Sequence, residues 1–237
     1  MAGPADPFGA AAILTLGDTA RRASPMEWAI EAIRLTSSGL TREAIEAWPL
    51  GQLDRAVVRL RERQFGKAWP CTPQCTACGE LFELEVNPAH MGFAIPGPYD
   101  GRVPTGAVLI DEAQISVRAL IVRDMLALER CPDEASARAY LAAALEVPDA
   151  ALDDALEAAA ELDPLINIVI ATQCPECAAS QSILFDPTRF FAEEIARGAD
   201  RVMGEVSELA LAYHWSESAI LAMPPERRQF YRTRIPV

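Results

Sequence analysis

The residues in this chain best suited to chemistry are its six cysteines, and four of them form two matched pairs. Cys75-Thr76-Ala77-Cys78 and Cys174-Pro175-Glu176-Cys177 stand 96 residues apart. Eight residues follow each pair, then an amide or acid plus proline: Asn87-Pro88 after the first and Asp186-Pro187 after the second. A Cys-x-x-Cys turn holds two sulfurs at about the spacing of one edge of a tetrahedron, and structural Zn²⁺ favours four tetrahedral ligands. The repeat therefore predicts one shared tetrathiolate site, with Cys75, Cys78, Cys174 and Cys177 as ligands of a structural Zn²⁺. The two halves can meet only if the chain between them is looped out.

Zinc-ribbon knuckles often read Cys-Pro-x-Cys-Gly. The first pair here has the glycine, Gly79, without the proline; the second has Pro175 but Ala178 in the glycine position. Neither departure removes a thiolate. Cys71, four residues before Cys75, is a competing ligand, and His90 lies two residues past the Asn-Pro stop. Cys131, just before Pro132, suits a buried small hydrophobe. A catalytic zinc keeps an open position and usually takes His or a carboxylate, yet the chain holds only two histidines, His90 and His214. No nucleophile appears with its base, and no glycine-rich phosphate loop is present. The expectation is a protein that is not an enzyme.

The elements around these cysteines follow from periodicity and caps. Ser24-Pro25-Met26-Glu27 is a helix start, with a serine cap, proline at the first helical position and glutamate three residues on. Trp28, Ile30, Ile33 and Leu35 form its apolar stripe, ending near Gly39. A short helix from Thr41 to Trp48 offers Ile45 and Trp48. A third, from Leu50 to Gln64, buries Leu53, Val57 and Leu60 and stops at Gly66. Its Arg55, Arg59, Arg61 and Arg63 read as a solvated face. Phe82, Leu84 and Val86 alternate with Glu83 and Glu85, which predicts a half-buried strand over 81–86. Residues 88–106 read as a long loop. Strands are expected at 108–110 and 115–120, then helices at 122–128, 135–145 and 150–162. The apolar run 165–171 leads to the second pair, after which Ile183 and Phe185 repeat Leu84 and Val86. Helices over 188–197, 199–214 and 217–222 follow, with Val202, Val206, Leu209 and Tyr213 as the stripe of the long one. Pro224-Pro225 starts a last helix.

The predicted class is α+β and predominantly helical. A flexible arm (1–23) precedes an N-terminal helical segment (24–70). Two knuckle-plus-strand halves (71–90 and 164–187) make a split zinc ribbon around an acidic, mainly helical insertion (107–163). A helical segment with a basic tail (188–237) ends the chain. Residues 131–163 hold nine acids against one arginine, a net of −8, whereas the tail from Pro224 carries four arginines and one glutamate.

Composition narrows the function classes. A net charge of −13 argues against general nucleic-acid binding, because phosphate contacts need clustered Lys and Arg. No run of about 18 apolar residues is present to span a membrane. The first basic residue is Arg21, so no positively charged leader is expected. Six cysteines without a leader suggest a reducing, cytoplasmic setting and metal ligation rather than a disulfide framework.

The C-terminal region carries one longer pattern. Glu205-Val206, Leu209-Ala210, Tyr213-His214-Trp215-Ser216-Glu217 and Ile220-Leu221 are followed by Met223-Pro224, Arg227-Arg228 and Tyr231. This segment resembles tails of small proteins encoded with contractile phage tails and phage-like contractile injection systems, among them baseplate or hub components and assembly factors. The resemblance is close over residues 205–231. It extends more loosely, as knuckle, strand, Asp-Pro, helix and tail, back to about Asp163. It implies a structural or assembly role inside such a particle, built in the cytoplasm, with other protein subunits as partners. Trp215, Arg227, Arg228 and Tyr231 are residue types favoured at interface hot spots. Trp215, with Ile220 and Leu221, is equally suited to capping the protein's own core, and the arginines to pairing with the acidic insertion or with a neighbouring subunit. A nucleic-acid-binding zinc ribbon and a metalloenzyme or thiol oxidoreductase are the alternatives.

Overall fold

The computed structural model describes residues 8–88, 102–110 and 113–235. In chain order its first elements are α1 (Ala10–Arg22), α2 (Pro25–Thr36), α3 (Arg42–Glu46), α4 (Leu50–Phe65), β1 (Trp69–Cys71) and β2 (Leu84–Val86). Next come β3 (Thr105–Ile110), β4 (Ala113–Arg118), α5 (Val122–Leu128), α6 (Glu134–Leu145) and α7 (Leu152–Leu162). The last are β5 (Val169–Gln173), β6 (Ser180–Leu184), α8 (Pro187–Tyr213), α9 (Glu217–Leu221) and α10 (Pro225–Arg232). The protein is α+β, with helices dominant and the described strands paired as three separate antiparallel hairpins, β1–β2, β3–β4 and β5–β6. It forms two compact units, Met1–Gly39 with Thr188–Val237, and Leu40–Pro187. The predicted N-terminal segment 24–70 is thus divided between them.

The first unit is helical throughout its described residues. An arm was expected over residues 1–23, but Ala10–Arg22 is a helix. Its alanine-rich composition suits a helix, and tertiary packing holds it. Phe8 and Leu16 are buried, and Gly17 lies so close to α8 that a Cβ there would come within 2.3 Å of the Ala199 Cβ. The Trp28 indole N–H donates to the Leu16 carbonyl at 3.1 Å, and its ring meets Phe191 edge-on at 5.2 Å. Ser24 caps α2 as expected, accepting from the Glu27 N–H at 3.3 Å. Leu35 does not join the buried stripe; it is 49% exposed.

The two helices expected over 188–197 and 199–214 are one helix of 27 residues. A glycine inside a helix costs only about 1 kcal/mol relative to alanine. Burial of Phe191, Ile195, Ala199, Val202 and Leu209 outweighs that cost at Gly198. The helix ends where His214 takes a left-handed conformation (φ 57°) and donates its N–H to the Ala210 carbonyl. Ser216 then caps α9 by accepting from the Ala219 N–H.

In the second unit Thr41 caps α3, and Ile45, Trp48, Leu53, Val57 and Leu60 are buried as expected. Arg61 is not on a solvated face: only 2% of it is exposed. Its guanidinium lies over the Trp69 ring at 4.7 Å and donates to the carbonyls of Gly66 and Ala68. A buried cation is tolerated because carbonyl oxygens and an aromatic face replace its water. Gly66, at φ 88°, makes the turn that brings Trp69 under it.

Between the cysteine pairs, α7 packs on the β3–β4 hairpin. Buried Asp124 accepts a two-pronged contact from Arg118 at 2.6 and 2.9 Å. It also accepts from the Ile121 N–H at 2.9 Å and the Tyr140 hydroxyl at 3.3 Å. At the end of this region Asp163 is buried and accepts from the Gly51 N–H at 2.6 Å, one of the amides that the first turn of α4 leaves without a helical partner. A Cβ at Gly51 would lie 2.1 Å from an Asp163 oxygen. Among the described residues no helix is long and apolar enough to cross a membrane.

Candidate metal centre

The two cysteine pairs sit on hairpins of the same register. In the first, Trp69 opposes Val86, and an isolated bridge joins Gln74 to Leu81. In the second, Gln173 opposes Ser180 and Val169 opposes Leu184, while the Phe185 N–H donates to the Ile168 carbonyl. Each of these positions in the first hairpin corresponds to the one 99 residues later. The predicted strand 81–86 is regular only over Leu84–Val86. Its partner β1 has no sequence signal, since three residues are too few to show alternation.

The turns match as closely. The Gly79 N–H donates to the Cys75 carbonyl and the Ala178 N–H to the Cys174 carbonyl, both at 2.9 Å. The Cys75 and Cys174 N–H groups donate back to Glu80 and Ala179 at 2.8 and 3.0 Å. Closing this turn requires a left-handed residue after the second cysteine, and φ is 79° at Gly79 and 58° at Ala178. The alanine accepts a conformation that disfavours side chains; the turn is kept although its usual glycine is not.

These hairpins bring all four sulfurs within 4.8 Å of one another. Cys75 Sγ lies 3.7 Å from Cys177 Sγ and Cys78 Sγ lies 3.8 Å from Cys174 Sγ. These separations exclude disulfides, whose S–S bond is about 2.05 Å. A tetrahedron with metal–sulfur bonds of about 2.3 Å has edges of about 3.8 Å. The donor set therefore fits a tetrahedral thiophilic ion, in size and in ligand type. Cys75 and Cys174 are buried and Cys78 and Cys177 are exposed. Phe82, with Leu84 and Ile183, covers the buried pair.

Four thiols this close do not ionise independently. The Cys75 thiol is pulled down to about 6, chiefly because the Cys78 N–H stabilises its thiolate. Cys78 is pushed up to about 12: the Glu80 N–H favours its thiolate, but desolvation and the adjacent thiols outweigh it. Cys177 is raised in the same way, against the Ala179 N–H. A dication reverses this repulsion, since a coordinating thiol is deprotonated.

One contact between the hairpins has no sequence signal. Gln181 on β6, at the place equivalent to Phe82, is buried. Its side-chain oxygen accepts from the Thr76 N–H and hydroxyl, each at 3.0 Å. Its Nε2 donates to the Ala179 carbonyl at 3.4 Å. The residue looks like an ordinary polar strand position until its partner, 105 residues away, is known.

The other candidates lie elsewhere. Cys71 is outside the group of four sulfurs; its thiol donates to the Trp69 carbonyl at 3.6 Å. Cys131 is half-buried rather than buried and donates to the Ala127 carbonyl. His90 lies outside the described residues. In the tail, Arg228 is 5% exposed, pairs with Glu205 at 2.8 Å and donates to the Met223 carbonyl. Arg232 pairs with Glu205 and Glu208. Two of the four tail arginines are thus paired with α8 rather than with the acidic insertion. Trp215 stacks on Tyr213 at 4.6 Å and meets Tyr231 edge-on at 4.8 Å, and the Tyr213 hydroxyl donates to the Tyr231 carbonyl. Trp215 and Tyr231 are half-buried in this aromatic knot, while Arg227 stays exposed.

Compared with protein-family models, with curated proteins and with solved structures, the chain matches none.

Proposed function

We propose that Cys75, Cys78, Cys174 and Cys177 hold a structural Zn²⁺ that staples the two hairpins into a split zinc ribbon. The observation that carries this is the pair of sulfur–sulfur distances across the hairpins, 3.7 and 3.8 Å, which match the edge length of a zinc–thiolate tetrahedron. Four thiolates complete the coordination of the ion and leave no position for a substrate, so its role is to hold the fold together. Structural zinc contributes on the order of 10 kcal/mol of apparent binding free energy to folding.

We further propose that the stapled protein is a non-enzymatic structural or assembly component of a phage-like contractile tail or injection particle, in its baseplate or hub region. The tail pattern over residues 205–231 supports this reading. The face around the cysteines favours protein partners over nucleic acid: Glu80, Glu83, Glu85, Glu176 and Asp186 are all exposed there and repel phosphate.

Metal analysis of the purified chain tests the first part, with one zinc per chain expected. Tetrahedral thiolate sites also hold iron, and a coloured, iron-loaded protein overturns the zinc assignment. Chelation or Cys174→Ser is expected to unfold the hairpins, and an unchanged circular dichroism spectrum and melting temperature after chelation overturns the staple. The second part is tested by sedimenting a lysate of the native host. Recovery of the chain with tail-sized particles or their assembly intermediates is expected; recovery only as a free protein counts against it.

A further inference from the structure

The four sulfurs are not equally placed. Cys78 and Cys177 are exposed, whereas Cys75 and Cys174 are buried. The contacts of 3.7 and 3.8 Å each join one exposed sulfur to one buried sulfur, and each crosses between the hairpins: Cys177 to Cys75, and Cys78 to Cys174. An accessible thiolate is where a peroxide reacts, and a second cysteine poised beside it resolves the product to a disulfide. Here each accessible sulfur has such a partner already in van der Waals contact.

Closing either contact to a bond of about 2.05 Å needs an approach of about 1.7 Å, shared between the tips of two turns. Gln181 keeps those tips opposed, because it holds Thr76, which lies inside the first turn between Cys75 and Cys78. The exposed Glu80 and Glu176 beside the sulfurs repel an anionic oxidant but not uncharged hydrogen peroxide.

We propose that Cys78 and Cys177 are oxidation sites for hydrogen peroxide, and that each closes a disulfide across the hairpins, Cys78–Cys174 and Cys75–Cys177. At each site the exposed thiolate attacks one peroxide oxygen, the O–O bond breaks, and hydroxide leaves behind a sulfenic acid. The buried thiolate of the other hairpin then attacks that sulfur, the S–O bond breaks, and a second hydroxide leaves. The two sulfurs lose two electrons, the two peroxide oxygens gain them, and both hydroxides take protons from solvent. A sulfur in a disulfide no longer donates as a thiolate, so zinc is released as the bonds form. Because the bonds join residues 102 and 96 apart on different hairpins, they replace the ion as the staple. The inference rests on the zinc reading for what is released, but not for which sulfurs pair.

The test uses the full chain with Cys71→Ser and Cys131→Ser, so that only the four sulfurs react. Its zinc content is measured as purified. About two equivalents of hydrogen peroxide are then added, one for each disulfide, and released zinc is read with a chromophoric indicator. Non-reducing digestion after Glu176 separates Cys174 from Cys177, and tandem mass spectrometry assigns the linkages. Loss of one zinc per chain together with Cys78–Cys174 and Cys75–Cys177 linkages is expected. The oxidised chain should also melt at a higher temperature than the chelated, reduced chain. Any other pairing overturns the proposal, above all disulfides within the turns, Cys75–Cys78 and Cys174–Cys177. So do sulfinic acids at Cys78 and Cys177, or four thiols left unoxidised, in each case with the zinc reading intact if the purified chain holds zinc. A chain purified without zinc that still forms both linkages overturns the zinc reading and leaves this inference standing.

Discussion

The side-chain oxygen of Gln181 accepts from both the N–H and the hydroxyl of Thr76, each at 3.0 Å, and so ties the second hairpin to the first cysteine turn. Gln181→Leu leaves the Thr76 N–H without that partner. It is expected to cost about 1–3 kcal/mol in denaturant unfolding, whereas Thr76→Val, which spares the N–H, costs about 0.5–1.5 kcal/mol. Competition with a chromophoric chelator should show weaker zinc binding in both. Equal affinity in Gln181→Leu and the parent would show that the clasp does not preorganise the site.

Ala178 holds the left-handed conformation that Gly79 holds in the other turn. Ala178→Gly is expected to stabilise the chain by about 1 kcal/mol, and Gly79→Ala to destabilise it by about as much. No atom lies within 4 Å of a Cβ built at Gly79, so that cost is conformational alone. Thermal denaturation of the two variants should shift in opposite directions.

Zinc loading should release protons. At pH 7 the Cys75 thiol, at about 6, is already mostly ionised, whereas Cys78, at about 12, and Cys177, also raised, still hold theirs. At least two protons per ion are therefore expected, read by calorimetry in buffers of different ionisation enthalpy. Below about pH 6 Cys75 is protonated too. One further proton is then released per ion, and affinity falls more steeply as the solution is acidified.

Arg228→Ala removes the buried half of the Arg228–Glu205 pair and the donor to Met223. Glu205 keeps Arg232 as a partner, so a loss of about 1–3 kcal/mol is expected. It should appear as faster amide exchange across α10 and altered Trp215 fluorescence, with the zinc content unchanged. Acid should loosen the neighbouring Arg232–Glu208 contact. The Arg232 hydrogen bond holds the Glu208 carboxyl below its usual 4.5. That contribution is present above 4.5 and is lost as pH falls through the lower folded value.

The cysteine group was legible because its signal is a repeat: two identical spacings followed, at the same distance, by two matched stops, Asn87-Pro88 and Asp186-Pro187. Ser24 and Gly66 were legible because caps and helix stops act through residues adjacent in sequence. What escaped depends on partners far along the chain. Gln181 needs Thr76, Arg61 needs the Trp69 face, and α1 needs Ala199 against Gly17. Gly198 suggested a break that the packing on either side of it overrides. Four arginines near a helix end looked solvated, yet one of them became the buried link between α4 and β1. In the tail, charge alone left the arginines' partner open between the acidic insertion and a neighbouring subunit, while proximity gave two of them to Glu205 and Glu208.

The matching register of the two hairpins also sets a timetable. Each hairpin closes over a short loop and needs nothing distant, but the proposed metal centre needs both. Once Cys78 has been synthesised, Cys174 follows 96 residues later, which is roughly 5–20 s of chain elongation. Throughout that interval the nascent chain carries half a coordination sphere. Two chains made side by side on one message hold two such halves, and an ion captured between them would cross-link the chains instead of closing either one. If the site holds zinc as proposed, free zinc during synthesis favours mispaired chains, and zinc supplied after release favours closure within one chain.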